Sequence, residues 1–210
     1  MARAARKTGV ELGMHIAGLA WSHPATARLR GGIVAAAGIA LIIALATYNA
    51  ADPSLNAASA LSPTNALGAP GATAADVGIQ SLGLAAGVGA LLMVVFGLGR
   101  ATTPQPDLTR RKVRLRAAIG LLGVMALAGL LSAPPAPAAW PLAKGLGGFW
   151  GDGLLHAIAG LFAYAHIPGG VLIASLLLLA AAAAGLGFAI GVRRSELAAS
   201  IEWVRNALQQ

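Results

Sequence analysis

Three long stretches of this chain, 33–48, 77–99 and 169–192, contain no Asp, Glu, Lys, Arg or His. A fourth, 117–133, is shorter and equally uncharged. A helix needs about 20 apolar residues to cross the hydrocarbon of a bilayer, with roughly 17–25 tolerated. The second and last stretches meet this outright. The first does so with Gly31 and Gly32 included, and the third borrows from its flanks. Hydrocarbon offers bare amides no partner, so each stretch must close its hydrogen bonds as a helix. The predicted fold class is an all-α integral membrane protein with spans at about 31–48, 77–99, 116–133 and 169–192.

A further apolar stretch, 149–167, differs from these because it holds Asp152, His156 and His166. Ionisable groups inside a membrane are expensive. On a helical wheel the three fall within about 40° of one line, with Leu154, Leu155, Ile158, Leu161 and Phe162 elsewhere. This pattern predicts an amphipathic or re-entrant helix between spans three and four, at the outer interface. Trp140, Phe149, Trp150 and Tyr164 suit the same depth.

Composition agrees with a lipid environment: 57% of the 210 residues are hydrophobic and 10% charged, against about 25% charged in soluble proteins. Zero cysteines exclude a disulfide framework and thiolate chemistry. The net charge of +8 acquires meaning from its placement. Residues 1–30 carry Arg3, Arg6, Lys7, Arg28 and Arg30, whereas 49–76 carry no Lys or Arg, only Asp52 and Asp76. The loop 100–116 carries Arg100, Arg110, Arg111, Lys112, Arg114 and Arg116, the stretch 134–168 only Lys144, and the tail Arg193, Arg194 and Arg205. Such alternation is what the positive-inside rule demands of four spans with both termini cytoplasmic. A fifth span at 149–167 would place Arg193 and Arg194 outside. The basicity is therefore topological, and nucleic acid is not needed to explain it. The long basic leader and the spans behind it favour a retained first span over a cleaved signal peptide.

Candidate chemistry is sparse. Asp152, His156 and His166 could be written as a metal site, but the spacing lacks a third close ligand, and the solvated edge of an amphipathic helix is the better reading. Asp52-Pro53-Ser54 reads as a turn in which proline stops the first span. Thr73-Ala-Ala-Asp76 fits a capping box opening the second span. Gly83-xxx-Gly87 and Gly187-xxx-Gly191 have the spacing of close helix contacts in bilayers, a weak signal among 28 glycines. No Gly-x-x-x-x-Gly-Lys-Ser/Thr phosphate loop, Ser/His/Asp order or His-Glu-x-x-His run occurs. No cofactor is expected in this chain. The spans hold no ionisable group near their midplanes, whereas transporters and pumps normally place such groups there.

The predicted organisation is a basic cytoplasmic segment 1–30, a four-helix membrane domain 31–192 and a cytoplasmic amphipathic tail 193–210. Val10, Met14, Ala17 and Trp21 follow helical spacing and predict a surface-lying helix ahead of the first span. Leu197, Ile201, Val204 and Leu208 do the same in the tail.

Several short runs together resemble the N-terminal four-transmembrane region of the FtsK/SpoIIIE DNA translocases. They are TYNAADPSL at 47–55, NALGAPG at 65–71, ADVG at 75–78, GGFWGDGLL at 147–155 and PGG at 168–170. The resemblance covers roughly 30–192. Its marker positions are Asp52, Pro53, Ser54, Asn65, Gly68, Gly71, Asp76, Gly83, Gly147, Gly148, Gly151, Gly169 and Gly170, taken as structural and not catalytic. The resemblance implies an inner-membrane anchor that gathers at the division septum and contacts division-site membrane proteins. It also implies a linker leading to a hexameric RecA-like ATPase beyond Gln210, so that ATP, DNA and oligomerisation come through that region. A small transporter or channel subunit, or a membrane enzyme using Asp152, His156 and His166, are the competing expectations.

Overall fold

The computed structural model describes residues 9–55, 62–102, 110–138, 140–142 and 145–191. Among these the secondary structure is entirely helical: α1 (Gly9–Ser22), α2 (Pro24–Ala46), α3 (Gly68–Leu82), α4 (Ala85–Thr102), α5 (Arg110–Leu131), α6 (Gly148–Tyr164) and α7 (Gly170–Ile190). Arg3, Arg6, Lys7, Lys144, Arg193, Arg194 and the amphipathic tail lie outside the described residues.

Four helices are long and apolar enough to cross a membrane: Pro24–Ala46, Ala85–Thr102, Lys112–Leu131 and Gly170–Ile190. Two of them begin before the uncharged runs do. Helix α2 starts at Pro24, where proline sits without strain in the first turn and the His23 Nδ1 accepts the Ala25 amide at 3.2 Å. Arg28 and Arg30 therefore lie within its first two turns, and Arg110, Arg111, Lys112, Arg114 and Arg116 open α5. Arginine and lysine are good helix formers, so charge marks where apolar surface begins and not where the helix does.

The expected second span, 77–99, is corrected. The helix breaks at Gly83, whose φ is +58°, and the run splits into α3 and α4. Helix α3 starts beside the C-terminus of α2 and ends beside that of α5. It thus lies across one end of the bundle, and the span proper starts at Ala85. The capping-box reading falls with it. Thr73 and Asp76 sit inside α3, and Leu67 is its N-cap, with no side-chain hydrogen bond. Apolar composition could not separate 77–82 from the span because α3 is itself apolar.

The two halves share a plan. In each, a span leads through a long connection (47–67 or 132–147) to a shorter helix, and a second span returns. Both short helices open on a glycine at positive φ, Gly68 at +64° and Gly148 at +66°. Both bury a second glycine three residues later, Gly71 and Gly151.

Small residues bring the spans together. Helix α2 buries Gly31, Ala35 and Gly38 against Ala90, Met93, Val94 and Gly97 of α4. Helix α5 places Gly120 and Gly123 against Gly185, Leu186 and Ala189 of α7. Leu155 and Ala159 of α6 join Ala126, Ala174, Leu178 and Ala182 in one apolar cluster. In lipid such close backbone approach supplies dispersion contacts that the hydrophobic effect does not. The glycine pairs singled out by spacing are otherwise employed: Gly87 and Gly187 meet nothing within 4 Å of a would-be Cβ, and Gly191 is the C-cap of α7. Gly87→Ala is accordingly expected to be neutral or to stabilise by up to about 1 kcal/mol, as alanine does in helix interiors. Gly97→Ala, whose Cβ would strike the Ala35 backbone, should cost about 1–3 kcal/mol. Thermal unfolding of the two variants in detergent compares them directly.

The packing also gathers the basic residues. Gly31, next to Arg30, meets Gly97, Arg100 and Ala101, so the start of α2 and the end of α4 share one end of the bundle. The Arg116 guanidinium lies beside Gly191, which brings the start of α5 to the end of α7.

Candidate functional site at the loop end of the bundle

At the opposite end, the marker positions form two adjoining structures. The first is a clamp that ties the 47–67 connection to the C-terminus of α2. The last carbonyls of a helix have no partner inside it. Two of them are satisfied here by Asn65, only 5% exposed, whose Nδ2 donates to the Ala44 oxygen at 2.8 Å and the Thr47 oxygen at 3.1 Å. Its Oδ1 accepts the Leu67 amide at 3.1 Å, turning the chain into α3. A Cβ on Gly71 would overlap that same Oδ1, so glycine is needed for α3 to close over the asparagine.

Asp52 holds the clamp from the other side. Oδ1 accepts the Thr64 amide at 2.9 Å and the Thr64 hydroxyl at 2.8 Å, and Oδ2 accepts the Asn65 amide at 2.9 Å. Asp52 does lie in a turn, its amide donating to the Asn49 oxygen at 3.1 Å, but the partners of its carboxylate lie 12 and 13 residues away. Proline does not stop the span. Helix α2 ends at Ala46 with Thr47 as C-cap, and Pro53 follows later in the loop beside Ser54. Thr47 also links the parts, its hydroxyl donating to Ile43 at 2.8 Å and accepting the Ala66 amide at 3.2 Å.

The Thr64 amide holds the Asp52 carboxyl below the usual carboxylate range, outweighing the desolvation that opposes it, and the Thr64 hydroxyl and Asn65 amide add to the effect. A carboxyl whose folded pKa is depressed contributes stability above its unfolded pKa, about 3.9, and that contribution is lost as pH falls through the folded value. The protein is therefore expected to lose stability on acidification below about pH 4 more steeply than Asp52→Asn, which cannot titrate there. Melting temperature against pH for both proteins gives the comparison.

Asp76 faces inward from α3 at 6% exposure, with Oδ1 accepting from Gln80 Nε2 at 2.8 Å and from the Tyr48 hydroxyl at 3.4 Å. Tyr48 thus ties the clamp loop to the middle of α3. The carboxylate has a tertiary role that the capping-box reading does not capture.

The second structure is a glycine junction joining the two halves. At the α3–α4 break, the Leu84 amide donates to the Leu146 oxygen at 2.9 Å. A Cβ on Gly83 would overlap that same carbonyl, and one on Gly148 would lie 2.7 Å from the Gln80 oxygen and the Gly83 nitrogen. Gly147 and Gly151 press on the Ala128 carbonyl near the end of α5, beside Ser132. Gly169 is the left-handed N-cap of α7, and a Cβ on Gly170 would lie 3.0 Å from the Ala159 oxygen.

The polar side chains of α6 do not converge. Asp152 accepts the Gly145 amide at 3.2 Å, His156 Nδ1 lies 2.7 Å from the Asp152 carbonyl on its own helix, and His166 occupies a left-handed turn beyond the helix. Among the described residues no three His, Cys, Asp or Glu side chains group as metal ligands would. Phe149 and Trp150 stack at 4.6 Å on the exposed side of α6.

Sequence reasoning missed Thr47, Thr64 and Tyr48 as members of the clamp. No local signal marks them, because Thr, Tyr and Asn beside Asp52 are also what an ordinary solvated turn carries.

Comparison with known proteins agrees with this architecture. Residues 26–202 match the family described as the 4TM region of DNA translocase FtsK/SpoIIIE. The chain is 52% identical over 209 residues to DNA translocase FtsK of Caulobacter vibrioides, covering 100% of this chain and 26% of that protein. It is 39% identical over 168 residues to DNA translocase FtsK of Agrobacterium fabrum, covering 76% of this chain and 18% of the relative. For DNA translocase FtsK of Rhizobium meliloti the figures are 39% over 130 residues, 62% and 14%. The chain thus spans about a quarter or less of the length of these relatives. No solved structure matches it. With four apolar helices, the marker residues assembled at one end and a family match over most of its length, the chain belongs to the 4TM-region family of the FtsK/SpoIIIE DNA translocases.

Proposed function

We propose that this chain is the membrane-anchoring and septal assembly domain of a DNA translocase that couples cell division to chromosome segregation, and that it is itself non-catalytic. The observation that carries this reading is the placement of polar residues. Those of the described spans sit at their ends, and the buried polar groups Asp52, Asn65 and Asp76 serve helix ends and loops. The arrangement suits a rigid anchor and supplies no relay across the bilayer. A transporter or channel subunit is not favoured.

In this reading both termini are cytoplasmic, because the basic starts of α2 and α5 share an end of the bundle with the close of α7. The clamp and the junction then face the periplasm of a bacterial inner membrane, where division-site membrane proteins are the partners. ATP, DNA and hexamer formation come from a motor region outside this chain. The test is a fluorescent fusion to residues 1–210: enrichment at midcell supports septal assembly, and an even distribution around the envelope refutes it. Reporter fusions after Leu55 and Thr102 read the topology, with the first expected outside and the second inside. Solute flux in proteoliposomes would revive the transporter reading.

A further inference from the structure

Helix α1 is exposed along its whole described length, with Val10, Leu12, Met14, Ile16 and Trp21 each more than half exposed. Its packing among the described residues is against α2 alone to any appreciable degree. A free helix presenting that much apolar surface to water would be unfavourable, at roughly 25 cal/mol per Å². The helix nevertheless has a polar line. At 100° per residue Glu11, His15 and Gly18 fall within about 60°, and the centre of the opposite arc holds Gly9, Gly13, Ile16, Ala17 and Ala20.

The position of α1 is fixed by the elbow that follows it. His23, at φ −62° and ψ 139°, is extended and interrupts the helix just before Pro24. Arg30 then reaches back from α2, stacking its guanidinium 4.0 Å over the Trp21 ring and donating Nη2 to the Trp21 carbonyl at 2.9 Å. The indole is thereby held beside the base of a span, the depth at which tryptophan is favoured in a bilayer. The same short region carries five cations, Arg3, Arg6, Lys7, Arg28 and Arg30, against the single acid Glu11.

We infer that α1 is a membrane-lying helix whose partner is the anionic phospholipid headgroup layer at the end of the bundle where α2 begins. Two observations select lipid over a second protein. The apolar surface is continuous with a span that already enters the bilayer, and the flanking charge is complementary to phosphate. The wide apolar arc sinks into the acyl boundary, the Glu11–His15 line faces water, and Arg28 and Arg30 at the start of α2 lie at the depth of the phosphates. Juxtamembrane cations contribute about 1 kcal/mol each near an anionic surface, roughly fivefold in occupancy per residue. The domain consequently senses leaflet composition at its entrance as well as spanning the bilayer. The inference rests on the membrane reading of α2 but not on the septal one.

The test uses the full chain with Trp21 as sole tryptophan (Trp140, Trp150 and Trp203→Phe), reconstituted in vesicles with and without phosphatidylglycerol. A second protein keeping only Trp150 reports whether the bundle itself is inserted. The expected result is about twofold quenching of Trp21 by lipids brominated near the top of the acyl chain, with protection from aqueous iodide. Both effects should weaken without phosphatidylglycerol. Ile16→Glu should expose Trp21 to iodide, whereas His15→Glu on the polar line should not. Iodide access to Trp21 in phosphatidylglycerol vesicles, with Trp150 still quenched by lipid bromine, overturns the proposal and leaves the spans standing. Protection from iodide without bromine quenching overturns it in favour of a protein contact. Quenching that is indifferent to phosphatidylglycerol overturns the anionic-lipid assignment.

Discussion

Replacing Asn65 with alanine is expected to destabilise the domain by about 3–5 kcal/mol, more than any other single truncation among its described polar side chains. The asparagine amide donates to the buried Ala44 carbonyl and the half-buried Thr47 carbonyl and accepts a third bond from Leu67. Each such bond is worth about 1 kcal/mol net, and stranding a buried carbonyl adds about 1–3 kcal/mol. Water cannot readily replace the amide, because Asn65 sits beneath Gly71 at the helix end. Asn65→Asp should be as damaging, since it loses both donors and brings a second carboxylate close to Asp52. Thr64→Val, which removes one hydroxyl and keeps the backbone, should cost only about 1 kcal/mol. Denaturant or thermal unfolding in detergent ranks the three. Hydrogen exchange adds a local readout, with faster exchange at 45–49 and in the first turn of α3 for Asn65→Ala.

The second large effect is expected at the glycine junction. Gly83→Ala places a methyl group on the Leu146 carbonyl in a residue that must keep φ at +58° and ψ at −137°, where an L side chain costs about 1–3 kcal/mol before any clash. The obstruction is backbone, so no rotamer change relieves it. Either the α3–α4 turn and the segment before α6 separate, losing the Leu84–Leu146 hydrogen bond, or α3 runs on into α4 and drags the clamp out of position. A loss of at least about 3 kcal/mol follows from overpacking and strain together. Gly147→Ala, which would strike the Ala128 carbonyl from the other side, should be comparable. A double variant should cost less than the sum of the two, because both act by displacing the same 146–148 segment, one from the α3–α4 turn and the other from α5. Near-additive losses would show that the junction is not a unit.

Both effects concern residues that were visible in the sequence only as markers. Asn65 and Gly71 were picked out with Asp52 through a resemblance, which assigns positions without saying what they touch. Their interaction depends on α2 ending at Ala46, so that the carbonyls of Ala44 and Thr47 are free when residue 65 returns. Nothing local to residue 65 encodes that. Gly83 was read as half of a glycine pair with Gly87, the pattern of a helix contact, yet it breaks the helix. A Gly-xxx-Gly spacing records two small residues and is silent on φ, and the turn at Gly83 is held by the next residue, Leu84, whose amide bonds Leu146, 62 positions further on. Asp76 was assigned to a cap because Thr73 stands three residues before it. Its burial against Tyr48 follows from α3 lying across the bundle.

The sequence by itself determined the class of the protein, the number of spans and the grouping of positive charge in alternate connections. Those properties follow from the solvent: hydrocarbon admits only uncharged helices of a given length, and charges stay near the ends. Where each helix starts and stops, which glycines meet and how the polar markers pair were decided by the tertiary structure. These depend on close approaches between segments far apart in the chain, which depart from local preference only because packing over-determines them.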